Sequence, residues 1–67
     1  MARVFKFLDI LGCELHTIKD PEGKLPIPTV RQVISVGDSK MRVVSVAVIS
    51  NNPTVYNVRV RAVPANN

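Results

Sequence analysis

The amino-acid sequence predicts an all-β protein: a small barrel or strongly bent antiparallel sheet of four to five short strands. Three observations carry this. Valine dominates the apolar residues, with twelve copies, and β-branched side chains suit strands. Two Val/Ile-rich runs, "QVISV" and "MRVVSVAVI", flank a Gly-Asp-Ser-Lys turn. A further turn, Asn51-Asn52-Pro53-Thr54, leads into "VYNVRVRAV", which alternates with the period of two that a strand requires.

The first element is "RVFKFLDIL". Phe5 and Phe7 share one face with Arg3 and Asp9; Val4, Leu8 and Ile10 share the other with Lys6. A strand fits this better than a short amphipathic helix, because Val and Phe disfavour the helix. The opening "MARVFKFLDILGC" also carries the early bases and Ile-Leu-Gly-Cys of a lipoprotein cleavage box. Asp9 interrupts its short apolar stretch, and the strand reading explains the same residues. "ELHTI" then alternates as a second strand and runs into "KDPEGK". Asp20, Pro21 and Gly23 stand at the first, second and fourth positions of a type I turn. In "LPIP", Pro26 and Pro28 cannot donate ladder hydrogen bonds, so this stretch is an extended edge or connector. A single P-x-P is too short to act as a proline-rich ligand.

From about Gln32 to Val63 three strands form a meander. Its loops are 37–40 and 51–54, so 32–36 should pair with 41–45, and 46–50 with 55–59. Strict alternation fails between Met41 and Ile49. One extra residue near Val44 and Ser45 brings Met41, Val43, Val46 and Val48 onto one inner face. That is a β-bulge, which lets a small sheet curl. A flat strand apolar on both sides is the alternative. In the last strand Tyr56, Val58, Val60 and Ala62 face inward, and Asn57, Arg59 and Arg61 outward. The expected core is Val43, Val46, Val48, Val58 and Val60. Such an architecture is that of an SH3-like barrel, a shape shared by unrelated functions. Residues 1–63 make one domain, followed by a frayed tail at 64–67.

Little in the chain points to catalysis. Cys13 and His16 are the only cysteine and histidine. Their three-residue spacing puts them on opposite faces of a strand, so Cys13 reads as buried packing and His16 as exposed. A metal set drawn from Cys13, Glu14, His16 and Asp20 matches no known ligand spacing. Asp9 and Asp38 lie near the strands, but paired acids need a cleft between them, which a domain this small rarely provides, and Asp38 serves more simply to cap the Gly37 turn. Gly12, Gly23 and Gly37 are isolated and form no phosphate loop. The expectation is a non-enzymatic protein without cofactor or metal. A lone cysteine forms no internal disulfide, and no apolar run approaches the ~20 residues of a membrane helix. A cytoplasmic setting with a reduced thiol and no membrane is the default expectation.

Charge is the remaining signal. The net charge is +4, and residues 1–38 hold five bases and five acids. Residues 39–67 hold Lys40, Arg42, Arg59 and Arg61 and no acid. These four residues form the candidate binding face. Two functions follow, the first expected and the second its alternative. One is a binding or assembly module that meets a protein partner, or a second copy, through an exposed sheet face or edge. The other is a nucleic-acid-binding barrel that holds phosphates on Arg59 and Arg61. Single-strand binders usually add aromatic platforms, for which only Phe5 and Phe7 are candidates. The same arginines also suit a solvated face that keeps an edge from aggregating.

Overall fold

The computed structural model describes residues 2–63; the frayed tail expected at 64–67 lies outside the described residues. Five strands follow in order: β1 (Arg3–Leu8), β2 (Glu14–Asp20), β3 (Val33–Val36), β4 (Ser39–Asn51) and β5 (Thr54–Ala62). They form one sheet in the spatial order β2-β1-β5-β4-β3, curled into a half-barrel. The predicted all-β fold and the β3–β4–β5 meander are both present. All neighbours pair antiparallel except β1 and β5, which are parallel.

Both meander turns are tighter than the sequence suggests. Val36 pairs with Ser39 around Gly37 and Asp38, and Asn51 pairs with Thr54 around Asn52 and Pro53, whose peptide bond is cis. Gly37 has φ +60° at the first central position, the side of the map that a two-residue hairpin turn of type II′ needs there.

The concave face is the core. Phe5 and Phe7 from β1 lie beside Val58 and Val60 from β5, with Val43 from β4 and Val36 from β3. The registers sort these residues into rows across the sheet. One row runs Ile18, Phe5, Tyr56, Val48; the next runs His16, Phe7, Val58, Val46. Phe5 and Tyr56 stack with ring centroids 5.2 Å apart. The proline-containing connector lies against this face. Leu25, Pro26 and Pro28 line a cavity of about 190 Å³ together with Phe5, Phe7 and Ile18.

The predicted bulge is present. Val43 pairs with Val60 and Ser45 with Arg59, so Val44 is the extra residue. Two further irregularities were not expected. Ile49 is extra between Val48 and Ser50, and Leu15 is extra opposite the Phe7–Leu8 step. Each extra residue is apolar and pushed into solvent: Val44 is 41% exposed, Leu15 45% and Ile49 54%.

Of the expected core, Val43, Val58 and Val60 are fully buried and Val46 packs against them. Val48 is a correction. Its register puts it on the inner side opposite Tyr56, yet it is 55% exposed. The reason is position: it ends its row at the rim, and β3 is too short to cover it, pairing only with residues 39–42 of β4. Cys13 is a second correction, being exposed where burial was expected. The Asp9 amide donates to the Cys13 carbonyl, and the Asp9 carboxylate accepts the Cys13 amide, both at 2.9 Å. The backbone closes on Asp9 and leaves the thiol outside.

Asp20 holds the other end of β2. It is buried, 5% exposed. Its carboxylate accepts the amides of Lys24 and Leu25 at 3.0 Å, and Arg3 sits 3.6 Å away while also donating to the Gly23 carbonyl. The turn foreseen at Asp20-Pro21-Glu22-Gly23 closes with the Gly23 amide on the Asp20 carbonyl. Burial pushes the Asp20 carboxyl upward. The amides of Leu25 and Lys24, the Arg3 guanidinium and the Gly23 amide outweigh it and hold the group below the ordinary aspartate value.

Two outcomes follow from this packing. Val58→Asp should unfold the domain, because an unpaired buried carboxylate costs several kcal/mol against a total stability of roughly 5–15 kcal/mol; a native-like amide spectrum for that variant would contradict the core assignment. For Asp20, the folded carboxyl titrates below the unfolded one, so its contribution is complete above the unfolded pKa of about 4 and is lost as pH falls through the folded value. Denaturant midpoints should therefore hold from neutrality down to about pH 5 and then fall. In Asp20→Asn that acid-dependent loss should be smaller, from a lower starting stability.

Candidate functional site

The outer face of the sheet follows from the same registers. β1 contributes Val4, Lys6 and Leu8, which pair with Val55, Asn57 and Arg59 of β5. Arg59 and Arg61 meet Ser45 and Arg42 of β4. Arg42 pairs onward with Val33, and Lys40 with Ser35. On the far side, Lys19 of β2 pairs with Val4. The four residues singled out from sequence, Lys40, Arg42, Arg59 and Arg61, thus share one face, and all are exposed. Arg59 and Arg61 stand ~7 Å apart along their strand.

Lys6 and Lys19 belong to this face and were missed. Period two had already set Lys6 opposite Phe5 and Phe7. What the sequence did not disclose was that β1 lies beside β5, which brings Lys6 next to the arginines. That contact is a parallel pairing between chain segments about fifty residues apart, with no turn to announce it.

The acids lie elsewhere. Asp20 is on the concave side with Arg3. Glu22 pairs with Lys24 at 2.9 Å in the following loop. Asp38 is in the β3–β4 turn. Asp9 lines a shallow cavity with Arg61, but its Oδ1 accepts the Leu11 and Cys13 amides. Only Glu14, at the β2 edge, shares the outer face, and it accepts the Thr17 hydroxyl. Among the strand residues, six bases and one acid therefore occupy the outer face and Arg3 and Asp20 the concave one, while the other two bases and three acids are in loops. Within the strands, the net positive charge is on one side of the sheet.

Among the described residues, none of the six cations has an ion-pair partner. Arg42 Nη1 donates to the Arg31 carbonyl at 3.2 Å, which ties that side chain to a turn where Arg31 takes φ +77°. Arg42 and Arg61 stand directly opposite each other, an arrangement of like charges that disfavours the pairing when no anion is present. No aromatic ring lies on this face. Phe5 and Phe7 are buried on the concave side, and Tyr56 stacks there.

Groups of three or more His, Cys, Asp or Glu side chains able to hold a metal are absent among the described residues. His16 lies at the exposed end of a concave row, opposite Phe7. No helix of the described residues is long and apolar enough to cross a membrane. Comparison with family models, curated proteins and solved structures finds no match.

The exposed thiol gives a direct check of the β1–β2 loop. Cys13 should react with an aromatic disulfide reagent in the native protein, without prior unfolding. Cys13→Ala should change stability by no more than about 0.5 kcal/mol, as a surface substitution does. A thiol that reacts only in denaturant would place Cys13 in the core after all.

Proposed function

We propose that the chain is a non-enzymatic binding module whose outer sheet face holds a nucleic-acid backbone. One observation carries this: six of the nine basic side chains share that face with a single strand acid, Glu14. Phosphate neutralisation by Lys and Arg supplies sequence-independent affinity. Arginine adds bidentate donation to phosphate oxygens. The face offers no ring on which a base could stack, so the reading is contact to the phosphate backbone without base recognition. The structural commitments of Asp9 and Asp20 support a role without acid–base chemistry, since their carboxylates are engaged by backbone amides. A protein partner, the other function considered, is favoured by a different region, the uncharged open edge of β4.

The test is salt dependence. If most of the six cations engage phosphates, the affinity for duplex DNA or RNA should fall with a log–log slope of about −4 to −5. The double substitution Arg59→Ala, Arg61→Ala should keep the amide spectrum and reduce the slope magnitude by ~2; Lys6→Ala should reduce it by ~1. Wild-type protein that is not retained on either nucleic acid at ~0.15 M salt would rule the reading out, because weak surface attraction is already screened there. Equal retention on anionic vesicles would mark the face as generally polyanion-seeking instead.

A further inference from the structure

β4 is thirteen residues long and is paired with β5 from Met41 to Asn51. On its other side the pairing ends early. β3 reaches only to Arg42, and the Arg31 amide and Gln32 carbonyl complete the ladder at Val43. Beyond that point, among the described residues, the backbone of 44–51 has no strand beside it on this side. The stretch is "VSVAVISN", and no charged residue occurs anywhere from Val43 to Val58.

Open edges in natural sheets are usually blunted by charge, proline or shortness. The opposite edge, β2, obeys this with Glu14, Lys19 and Asp20. The 44–51 edge has neither charge nor proline and is not short; the bulges at Val44 and Ile49 are the device it does carry. It carries apolar side chains in solvent: Val44, Val48 and Ile49 are each more than two-fifths exposed, and Val46 and Val48 end two rows of the concave face.

We propose that residues 44–50 pair antiparallel with the same segment of a second copy of this chain, forming a twofold dimer. The occupant follows from self-complementarity. Centred on Ala47, the pairing sets Val46 against the second copy's Val48, twice, on the concave side. That prolongs both apolar rows and covers the residue left stranded at the rim. On the outer side it sets Ala47 against its own counterpart, so no like charges meet across the seam. The contact is isologous, and the other edge is blunted, so association closes at two copies and does not grow into a fibre. The twofold axis of an antiparallel pair stands perpendicular to the sheet. Both basic faces therefore lie on the same side of a ten-stranded sheet. Seven paired residues span about 23 Å, which places the contact at the small end of specific interfaces and makes it concentration-dependent.

Sedimentation equilibrium without nucleic acid tests this from about 1 µM to about 1 mM protein, the range over which a contact of this size should assemble. The wild type should pass from one-copy to two-copy mass, and amide exchange at 44–51 should slow as the concentration rises. Val48→Lys places a charge on a side chain that is already exposed in the single chain. Ala47→Glu opposes two carboxylates across the seam. Both variants should keep the wild-type amide spectrum of the single chain and weaken association at least tenfold. One-copy mass for the wild type at every concentration would overturn the proposal. So would wild-type association by either folded variant, or protection that grows at β2 and not at 44–51. None of these readouts involves the arginines, so they stand or fall apart from the salt slope.

Discussion

The bulge at Val44 is the constraint from which the rest of the structure follows. With no helix among the described residues and a single cysteine, the chain has one sheet with which to enclose a core. A flat sheet of five strands would leave every apolar side chain wet on at least one side. The extra residue bends β4 and lets Val43 and Val46, three positions apart, both face the concave side. Val43 meets Val60 there, and Val46 meets Val58. Without the shift, Val46 would turn outward among the arginines and the central rows would lose a member each. The extra residues at Leu15 and Ile49 act in the same way at the two ends of the curl, and each leaves an apolar side chain in solvent as the cost of bending.

Local signals in the sequence were largely sufficient for local structure. The alternation of Tyr56, Val58, Val60 against Arg59 and Arg61, the Asp-Pro-Glu-Gly turn and the break in period near Val44 each state a geometry that the structure adopts. What the sequence concealed was long-range. Nothing in "RVFKFL" says that it lies parallel to "TVYNVR", because a parallel contact has no connecting turn and its register is set by packing alone. From that gap came the omission of Lys6 and Lys19 from the basic face. The exposure of Val48 is hidden for a related reason. Period and bulge set its direction correctly, but burial also depends on what lies beyond it, and β3 stops short. The exposure of Cys13 depends on a side-chain cap from Asp9, four residues earlier, which a pattern of apolar residues cannot register.

Acids and bases are separated by what each does for the fold. Asp9 and Asp20 end strands by accepting backbone amides, which a carboxylate does and an ammonium or guanidinium cannot. Their use at the loops withdraws negative charge from the sheet. The bases remain where period two leaves them, facing outward from β1, β2, β4 and β5. By register Lys19 stands beside Val4 and Arg59 beside Leu8, so charge borders the apolar part of the outer face and its potential is positive. The opposition of Arg42 and Arg61 is the local cost of this arrangement, and it is relieved by any anion that bridges the two.

The β4–β5 hairpin divides along its length into two kinds of surface. Near the β3 end it carries Lys40, Arg42, Arg59 and Arg61; from Val43 round the turn to Val58 it carries no charge. If charge served only to keep this small protein dispersed, the open edge of β4 is where it would be needed most, since an unpaired strand recruits other strands through its backbone. The charge is instead on the outer face, where β-sheet pairing cannot occur. That distribution argues against a purely protective role for the arginines. It is the distribution on which the proposed polyanion surface and the proposed pairing edge both rest.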